Sequence, residues 1–315
     1  MPTPDYANGQ MKPDAPKPAH KKLADVLPEL NAKPSSKVPL MMPDGIYSDL
    51  PPELYYNTAA IGSSLIKWLA PHYTPADFWE RSWMNTKIEP VETKALAFGR
   101  AMHTLVLEPN VFETHFSIKR GVKSTTTQGM VGEGDYERML RMRDRLMANT
   151  HIARLLTGGK AEVSLFWKHE SGAPMRGRFD YLNGFTSVDL KFVEELSDTI
   201  VGELVARYQY DTQAAQYHDG LKRCAEQAGH TGAIGNHVII FQEKAAGSPH
   251  KVVAVVLEDD VLAEGKSKYE AACRKYQECV ASYGTDKPWP AYEDKVLSLD
   301  GTMMPRWWSG AGNVV

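Results

Sequence analysis

The sequence predicts an α/β protein in which a mixed central β-sheet is flanked by helices. Apolar residues make up 43% of the 315 residues, which is enough for a substantial core in one large domain or two modest ones. Segments typical of helices and strands follow in the order helices, three strands, helices, two strands and a helix, with no internal repeat. Because this order is not a regular alternation of strand and helix, it favours one mixed sheet over a βαβ array.

The N-terminal segment is expected to be a tail. Residues 1–36 are rich in Pro, Ala and Lys and poor in aromatic residues, so they bury too little apolar surface to offset the entropy of ordering. Within them, LADVLPEL could form a short docking helix. Residues 37–315 form the predicted domain, whose folded part begins near GIYSDL.

The region before the strands is typical of helices. GSSLIKWLA has a serine N-cap signal ahead of apolar residues at helical spacing. ETKALAFGRAMHTLVLEP predicts a second helix that stops at Pro109. DYERMLRMRDRLMANTHIARLLTGG predicts a third, in which an apolar stripe consists of Met139, Met142 and Leu146.

Basic residues cluster around the start of that third helix. The preceding segment, KRGVKSTTTQGMVGEG, is polar and Gly-rich and predicts a loop that carries Lys119, Arg120 and Lys123. Arg138, Arg141 and Arg145 lie three and four residues apart, on a helix face away from the apolar stripe. Such a row is more often a solvated face than a track for phosphates.

The rest of the chain supplies the sheet and its covering helices. AEVSLFWKH, MRGRFDYL and TSVDLKF have the β-branched and aromatic residues of strands, with local alternation. A helix is expected from Ser197 to about Gly229, with a break near Tyr210. NHVIIFQEK and HKVVAVVLED predict two further strands, and DDVLAEGKSKYEAACRKYQECVASYG predicts a long helix.

The hairpin between the second and third of these strands places two aspartates near a lysine. Side chains alternate along a strand, so Asp189 and Lys191 share the face opposite Val188, Leu190 and Phe192. A two-residue loop at Asn183-Gly184 would make Asp180 and Asp189 diagonal neighbours, whereas a symmetric four-residue loop would make them direct partners. Either register predicts one polar face with Asp180, Asp189 and Lys191, and a core face with the aromatic residues.

This polar face has two interpretations. It could be a solvated face with an ordinary cross-strand ion pair. Alternatively, because the strands look largely buried and buried charge must be paired or bound to metal, it could hold a divalent cation such as Mg²⁺. The lysine would then help to deprotonate a water molecule or steady transition-state charge. The spacing alone leaves both interpretations open.

Composition limits the other function classes. With 36 Lys and Arg against 39 Asp and Glu, the formal net charge of −3 leaves only a local basic patch for any nucleic-acid site. The three cysteines form no CxxC pair, and their odd number and sparse use suggest a reducing, intracellular setting. Three cysteines cannot supply the four ligands of an iron–sulfur cluster. The longest apolar runs have strand length, and the N-terminus has no apolar signal region, so neither a membrane span nor secretion is expected.

The Asp180-x8-Asp189-x-Lys191 pattern resembles the PD-(D/E)xK nuclease signature, which alone is weakly specific. Further segments from about Gly45 to Tyr292 resemble RecE-type 5′–3′ exonucleases, the exonuclease VIII family, in their order along the chain. These segments are GIYSDLPPELYYNTAAIGSSLIKWL, KALAFGRAMHTLVLEP, AEVSLFW, GRFDYL, VDLK and YQYDTQAAQYHDGL. The resemblance implies a restriction-endonuclease-like core and nuclease activity.

Site residues follow from this resemblance one at a time. Asp180 and Asp189 match the metal-binding aspartates, and Lys191 matches the catalytic lysine. His103 and Glu162 resemble a helix-borne histidine and an acidic residue that would join the aspartates as metal ligands, although either could be structural. Gln213 and Tyr217 match a Q-x3-Y motif on one helical face, where they could contact DNA or the lysine, or belong to an ordinary amphipathic helix. The chain departs from the family at Arg100, Phe192 and Tyr56-Asn57.

The function that the resemblance implies is Mg²⁺-dependent exonuclease activity, with Mn²⁺ as a possible substitute. Linear duplex DNA would be digested 5′ to 3′, leaving 3′ single strands for a phage-type annealing protein. Phosphate contacts are expected from basic side chains, namely Arg178, Lys119, Arg120, Lys123, Arg138, Arg141 and Arg145. A homo-oligomer and a bacterial cytoplasmic setting of phage or prophage origin are also expected. The alternatives are a structure-specific endonuclease on the same core and a catalytically silent DNA-end or annealing-protein scaffold.

Overall fold

The computed structural model describes residues 17–26, 39–88, 92–292, 296 and 298–304. Its centre is a mixed sheet, as predicted, but it has six strands, one more than the five that the sequence patterns indicated. The strands in the described part of the chain are β1 (Gly45–Tyr47), β2 (Ser117–Lys119), β3 (Thr126–Thr127), β4 (Met130–Gly132), β5 (Lys160–Lys168), β6 (Pro174–Asn183), β7 (Thr186–Val193), β8 (His237–Glu243) and β9 (Val252–Val256). The large sheet has the order β1-β5-β6-β7-β8-β9, with antiparallel neighbours except for the parallel pair β7 and β8.

Helices cover both faces of this sheet. They are α1 (Leu23–Val26), α2 (Pro52–Tyr56), α3 (Ser63–Ile66), α4 (Pro75–Trp79), α5 (Lys94–Leu107), α6 (Phe112–His115), α7 (Glu133–Met147), α8 (Thr150–Leu155), α9 (Asp198–Tyr208), α10 (Tyr210–Gln227) and α11 (Asp259–Tyr283). Apolar residues of α10 and α11 pack with β5 and β6 in the main core, and those of α7 and α8 pack on the other face of β7 and β8. None of the helices in the described part of the chain is long and apolar enough to cross a membrane.

Most of the predicted elements are confirmed. The segments AEVSLFWKH, MRGRFDYL and TSVDLKF became β5, β6 and β7, and the stripe Met139, Met142 and Leu146 is fully buried on α7. Helix α5 ends at Leu107, just before Pro109. The expected break near Tyr210 lies at Gln209, whose φ of 55° ends α9 and precedes α10.

The predicted loop from 119 to 134 is partly wrong, because it contributes to a small sheet with the order β2-β4-β3. Its strands have two or three residues, too few for alternation to be visible in the sequence. The buried Asp135 at the start of α7 stabilises the segment by accepting hydrogen bonds from Ser124 and Thr126 at 3.1 and 2.9 Å.

Part of the predicted N-terminal tail is anchored to the domain. The Lys21 amide donates to the Ile46 carbonyl at 2.7 Å, the Leu23 amide donates to the Asp49 carboxylate at 3.2 Å, and Val26 is buried. Helix α1 lies within LADVLPEL, where a docking helix was predicted. The rest of residues 1–36, namely 1–16 and 27–36, lies outside the described residues, and the boundary at residue 36 stays a prediction.

Candidate active site

The hairpin of β6 and β7 brings Asp180 and Asp189 to facing positions. Tyr181 pairs with Val188, and Asn183 pairs with Thr186, so the loop consists of Gly184 and Phe185. The prediction of an Asn183-Gly184 loop is therefore wrong, while the facing arrangement of the two aspartates is the one expected of the four-residue loop. Asn183 is retained in the strand because its amide donates to three carbonyls after α8, those of Arg154, Leu155 and Thr157.

The ladder between the two strands opens at Asp180. The last pair is Tyr181 with Val188, and beyond it Asp180 Oδ2 accepts a hydrogen bond from the Leu190 amide at 2.6 Å. His103 Nε2, from α5, lies 3.1 Å from the Leu190 carbonyl oxygen and 3.3 Å from Asp180 Oδ2. Two polar side chains thus replace the missing strand partner, and His103 lies beside Asp180 as the resemblance implied.

The same opening interrupts the alternation of β6. Phe179 belongs to the main core beside Tyr217, whereas Tyr181 packs with Val188 and Leu190 on the other face of the sheet. The prediction that the aromatic residues share a single core face is therefore wrong. The reason is local, because the regular pairing is interrupted at Asp180 and at Glu162 opposite it, whose φ is 54°.

Asp189 is held by a lysine and an amide. Its Oδ1 accepts a hydrogen bond from Gln213 Nε2 at 2.9 Å, and its Oδ2 forms a close ion pair with Lys191 Nζ. Asp189 Oδ2 is buried and has no partner in hydrogen-bond geometry among the described residues, although the ammonium is near. The lysine also lies over the Tyr210 ring, 4.8 Å from its centroid. The structure thus brings Asp189, Lys191 and Gln213 together.

The two aspartates have opposite electrostatic environments. Burial, together with the negative charge of Asp189, raises the pKa of Asp180 above its usual value. Burial acts in the same direction on Asp189, but Lys191 outweighs it and the pKa of Asp189 is lowered. The pKa of Lys191 is raised because the charges of Asp189 and Asp180 outweigh its burial. The lysine is therefore protonated in this arrangement, and the positive charge near Asp180 does not offset the effect of its burial.

Glu162 lies opposite Asp180 on β5, between the pairs Ala161–Tyr181 and Val163–Phe179. Its backbone has a φ of 54°, a left-handed conformation that interrupts the regular strand. Its carboxylate accepts a 2.6 Å hydrogen bond from Arg178 Nε. The Arg178 side chain is 11% exposed and also donates to the Leu50 carbonyl, a placement that does not support its predicted contact with DNA.

Helix α10 carries both predicted Q-x3-Y residues, with different contacts. Gln213 contacts Asp189, whereas Tyr217 donates its hydroxyl hydrogen to the Arg178 carbonyl at 3.0 Å and is buried. The helix approaches β5 closely because residue 220 is glycine, where a Cβ would lie 2.7 Å from the Trp167 ring. Tyr217 thus has a structural contact, and Gln213 is the member of the motif that reaches the aspartates.

Two neighbours of the site were missed by the sequence reasoning. Tyr210 precedes Gln213 by three residues, so the helical period could have placed it on the same face, next to Lys191. His237 is buried on β8, with Nδ1 2.9 Å from Ser187 Oγ and no partner for Nε2, and burial lowers its pKa to about 4. No local signal identified His237, because it reaches the site only through the parallel pairing of β7 and β8.

The residues present fit a divalent cation that two carboxylates can hold. Asp180 and Asp189 lie on adjacent strands at facing positions, Asp189 is buried, and burial raises the pKa of Asp180, so a cation between the two carboxylates would favour the charged form of Asp180. Mg²⁺ commonly uses one or two carboxylates and fills its other positions with water and phosphate oxygens. A larger set is not assembled: no three His, Cys, Asp or Glu side chains in the described part of the chain converge as metal ligands, and Glu162 is turned to Arg178.

The predicted DNA-contacting residues fall into two groups. Arg138 forms an ion pair with the buried Asp135 at 2.8 Å and lies over the Phe98 ring, so it is a structural residue of α7. The other group is exposed at the surface and comprises Lys119, Arg120, Lys123, Arg141 and Arg145. These five residues form no ion pair with another described residue, so their charges are available to a polyanion.

Comparison with known proteins gives a consistent family and fold. The model of a PDDEXK-like domain of unknown function, DUF3799, matches residues 63–295. The crystal structure of a candidate exonuclease from Eubacterium rectale is similar, with a TM-score of 0.56, 16% identity, and coverage of 80% of this chain and 96% of that one. A phage-related exonuclease from Haemophilus somnus 129PT has a TM-score of 0.32 and 13% identity over 70% of this chain and 94% of its own, too low to establish a shared fold. No curated protein matches. The predicted PD-(D/E)xK family and α/β fold are thereby confirmed.

Proposed function

The chain belongs to the PDDEXK-like DUF3799 family, and from that premise we propose that it is a Mg²⁺-dependent exonuclease that degrades linear double-stranded DNA 5′ to 3′. One observation carries the proposal: Asp180, Asp189, Lys191 and Gln213 meet where β6 and β7 separate. PD-(D/E)xK nucleases generally use divalent metal ions, and the two carboxylates fit such an ion. An ordinary solvated ion pair would not need a buried aspartate and a buried amide beside it.

Each residue has a defined part in hydrolysis. Asp180 and Asp189 would hold the cation, which supplies Lewis-acid activation of the scissile phosphate and of water near neutral pH. Lys191 is protonated through its ion pair with Asp189, so it can stabilise the charge that develops on the phosphate oxygens. Gln213 holds the Asp189 carboxylate in one orientation, and His103 does the same for Asp180. Tyr210 limits the motion of the lysine by lying beneath its ammonium.

The surface that would receive DNA is inferred from charge. Cutting without sequence preference requires contacts to phosphates rather than to bases. The exposed Lys119, Arg120, Lys123, Arg141 and Arg145 supply positive charge on the segment from β2 to α7. Helix α5 packs against α7 and carries His103, which connects this segment to the catalytic residues.

The remaining parts of the proposal rest on the resemblance to RecE-type exonucleases. They are the 5′ to 3′ direction, the single-strand annealing partner that would receive the 3′ strand, assembly as a homo-oligomer, a role in phage-type recombination, and a bacterial cytoplasmic setting. Mn²⁺ is expected to replace Mg²⁺, since it accepts the same oxygen ligands.

Digestion of linear and circular forms of one plasmid tests the proposal. With Mg²⁺, loss of the linear form alone supports the exonuclease, and 5′-labelled and 3′-labelled ends then give the direction. Cutting of covalently closed circles would instead identify an endonuclease. Binding of linear DNA without any loss of substrate would identify a silent scaffold and contradict the proposal.

A further inference from the structure

A cavity of about 510 Å³ opens beside the candidate active site. Its volume lies within the range of roughly 300–1,000 Å³ that is usual for small-molecule sites. The lining comes from α2, from α3 and the turn after it, from residues 81–88 and from Arg176 of β6. Arg176 precedes Asp180 by four residues on the same strand, about 13 Å at the rise of an extended chain. The cavity is therefore close enough for a strand held at the aspartates to reach it.

The lining is positively charged. Among the described residues, it contains Lys67, Arg81 and Arg176 and no acidic residue. Lys67 has no ion pair with another described residue, and burial together with the nearby Lys191 lowers its pKa. Arg81 has one acidic neighbour, Asp77 at 3.6 Å. The cavity thus has a surplus of positive charge, which favours an anionic occupant.

Arg176 is oriented by the backbone rather than by an acid. Its Nη1 donates to the Tyr55 carbonyl at 2.7 Å and to Thr58 Oγ1 at 2.8 Å. Its Nε is buried and has no hydrogen-bond partner among the described residues. No described acidic residue forms an ion pair with the Arg176 guanidinium, so its charge is available to an anionic group.

Aromatic rings share the cavity with these cations. The Arg81 guanidinium lies over the Trp68 ring, 3.8 Å from its centroid, and Trp83 lines the wall. Tyr56 is 67% exposed at the rim, although a large aromatic side chain usually gains stability from burial. Unpaired nucleic-acid bases stack on aromatic rings and on arginine planes, while their phosphates require cations. The lining therefore matches a molecule that has both an aromatic ring and an anionic group.

We propose that this cavity binds one unstacked nucleotide, with its base against both Tyr56 and the Trp68–Arg81 pair and its phosphate near Lys67 and Arg176. The role of the site rests on the proposed nuclease function, because its occupant is then the terminal nucleotide of the strand or the nucleotide released from it. Both occupants share the same chemistry, a purine or pyrimidine that carries a phosphate.

Titration calorimetry in excess EDTA tests the site without any turnover. The probes are a deoxynucleoside 5′-monophosphate, the deoxynucleoside alone and inorganic phosphate. The wild-type chain should bind the monophosphate more tightly than either part. Tyr56→Ala and Arg81→Ala should each weaken it by roughly 5- to 100-fold, as expected for the loss of one stacking contact, and Tyr56→Phe should restore binding.

Arg274→Ala is the matched control. Like Arg81, Arg274 is a surface arginine with an acidic residue four positions earlier, Glu270 at 4.0 Å, but it does not line the cavity. Its binding should equal that of the wild type, and all variants should keep the wild-type melting temperature. Equal affinity for inorganic phosphate and the monophosphate, or unchanged binding in both cavity variants, would overturn the proposal.

A linear duplex with an abasic 5′-terminal nucleotide separates the two occupants. If the cavity holds the strand end, the wild-type chain binds the normal end more tightly than the abasic end, and Tyr56→Ala removes that difference. If it holds the released nucleotide, only binding of the free monophosphate depends on Tyr56. Absence of monophosphate binding in a chain that still digests linear DNA with Mg²⁺ would reject the cavity site and leave the nuclease proposal intact. If the chain binds the monophosphate in a way that depends on Tyr56 but does not cleave DNA, the cavity site is supported and the nuclease proposal is rejected.

Discussion

The junction of β6 and β7 and the basic segment from Lys119 to Arg145 were both predicted from residue spacing, but the structure supports them differently. At the junction, the polar groups are buried or half-buried and contact one another: Asp180 caps Leu190, and Gln213 holds Asp189. In the basic segment, Arg138 forms an ion pair with Asp135, whereas Arg141 and its exposed neighbours form no ion pair with a described acidic residue. Buried polar residues must find partners, and exposed ones need not.

The difference in burial determines how strongly the structure of each region restricts its function. Because a buried carboxylate is costly without compensation, the contacts of Asp189 restrict its function to a few kinds of chemistry. An exposed arginine is equally compatible with solvent and with a phosphate, so its position alone restricts little. Perturbing the junction should therefore change the reaction rate, and perturbing the exposed residues of the basic segment should change only the affinity for DNA.

Removal of the metal should have the largest effect. Two carboxylates and a protonated lysine cannot activate water at neutral pH without a metal ion. Excess EDTA is therefore expected to abolish cleavage, and added Mg²⁺ or Mn²⁺ should restore it. Ca²⁺ should permit DNA binding with little turnover, because its coordination geometry is looser. The measurement is the initial rate of loss of linear DNA as a function of free metal. Undiminished cleavage in the chelator would contradict the metal assignment.

Substitution at the junction should come next. Asp189→Asn keeps the size of the side chain and its Gln213 contact but removes the charge that would hold a cation. Lys191→Ala removes the ammonium beside it. Each is expected to lower single-turnover cleavage by roughly 10²- to 10⁴-fold while DNA ends still bind, and Asp189→Asn could bind more tightly because repulsion of phosphate is relieved.

The matched control for the junction is Asp259→Asn, an exposed aspartate at the start of α11. It should cleave at the wild-type rate. Melting temperatures of all three variants separate loss of chemistry from loss of folding, because Lys191→Ala leaves a buried charge without its partner. Wild-type cleavage by Asp189→Asn would show that the junction is only structural and that the active site lies elsewhere.

The Q-x3-Y motif offers a finer test, because its two residues differ in what they contact. Gln213→Ala should lower turnover, since Asp189 loses the donor that orients it, with a smaller effect than loss of the carboxylate itself. Tyr217→Phe should retain turnover but lower the free energy of unfolding by about 1 kcal/mol, because the Arg178 carbonyl loses its hydrogen-bond donor. Single-turnover rates and urea unfolding check both expectations. Equal loss of turnover in the two variants would mean that the whole motif acts in the reaction.

The strands and the long helices could be predicted because each carries a periodic pattern over many residues. The register of the hairpin could not, since it depends on Asn183 binding three carbonyls after α8, a contact between distant segments. The small sheet β2-β4-β3 was missed because its strands are too short for a pattern, and the anchoring of residues 17–26 because single contacts such as Lys21 with Ile46 leave no compositional signal.

In the candidate site too, contacts between distant segments could not be predicted from the sequence. The resemblance pointed to Asp180, Asp189 and Lys191 together, and the structure brings Asp189 and Lys191 into contact and Asp180 opposite them. It did not indicate that Glu162 would turn to Arg178, nor that the cavity would join Tyr56, Trp68 and Arg81. These arrangements arise when separate segments pack, so only the fold reveals them.

The smallest effect is expected on α7, where an exposed arginine can be compared with a structural one. Arg141 is exposed and has no ion pair with a described residue, so Arg141→Ala should keep the wild-type turnover at saturating DNA. If Arg141 contacts one phosphate, the dissociation constant should rise modestly, and the slope of log K against log[salt] should fall by about 0.9, because one fewer counterion is released on binding. Arg138→Ala, one turn away on the same helix, should lower the melting temperature instead, because the buried Asp135 loses its ion-pair partner. Binding across a salt series, with single-turnover cleavage at each salt concentration, distinguishes the two variants. An unchanged salt slope in Arg141→Ala, with cleavage intact, would place the DNA path away from this helix while leaving the junction as the catalytic centre.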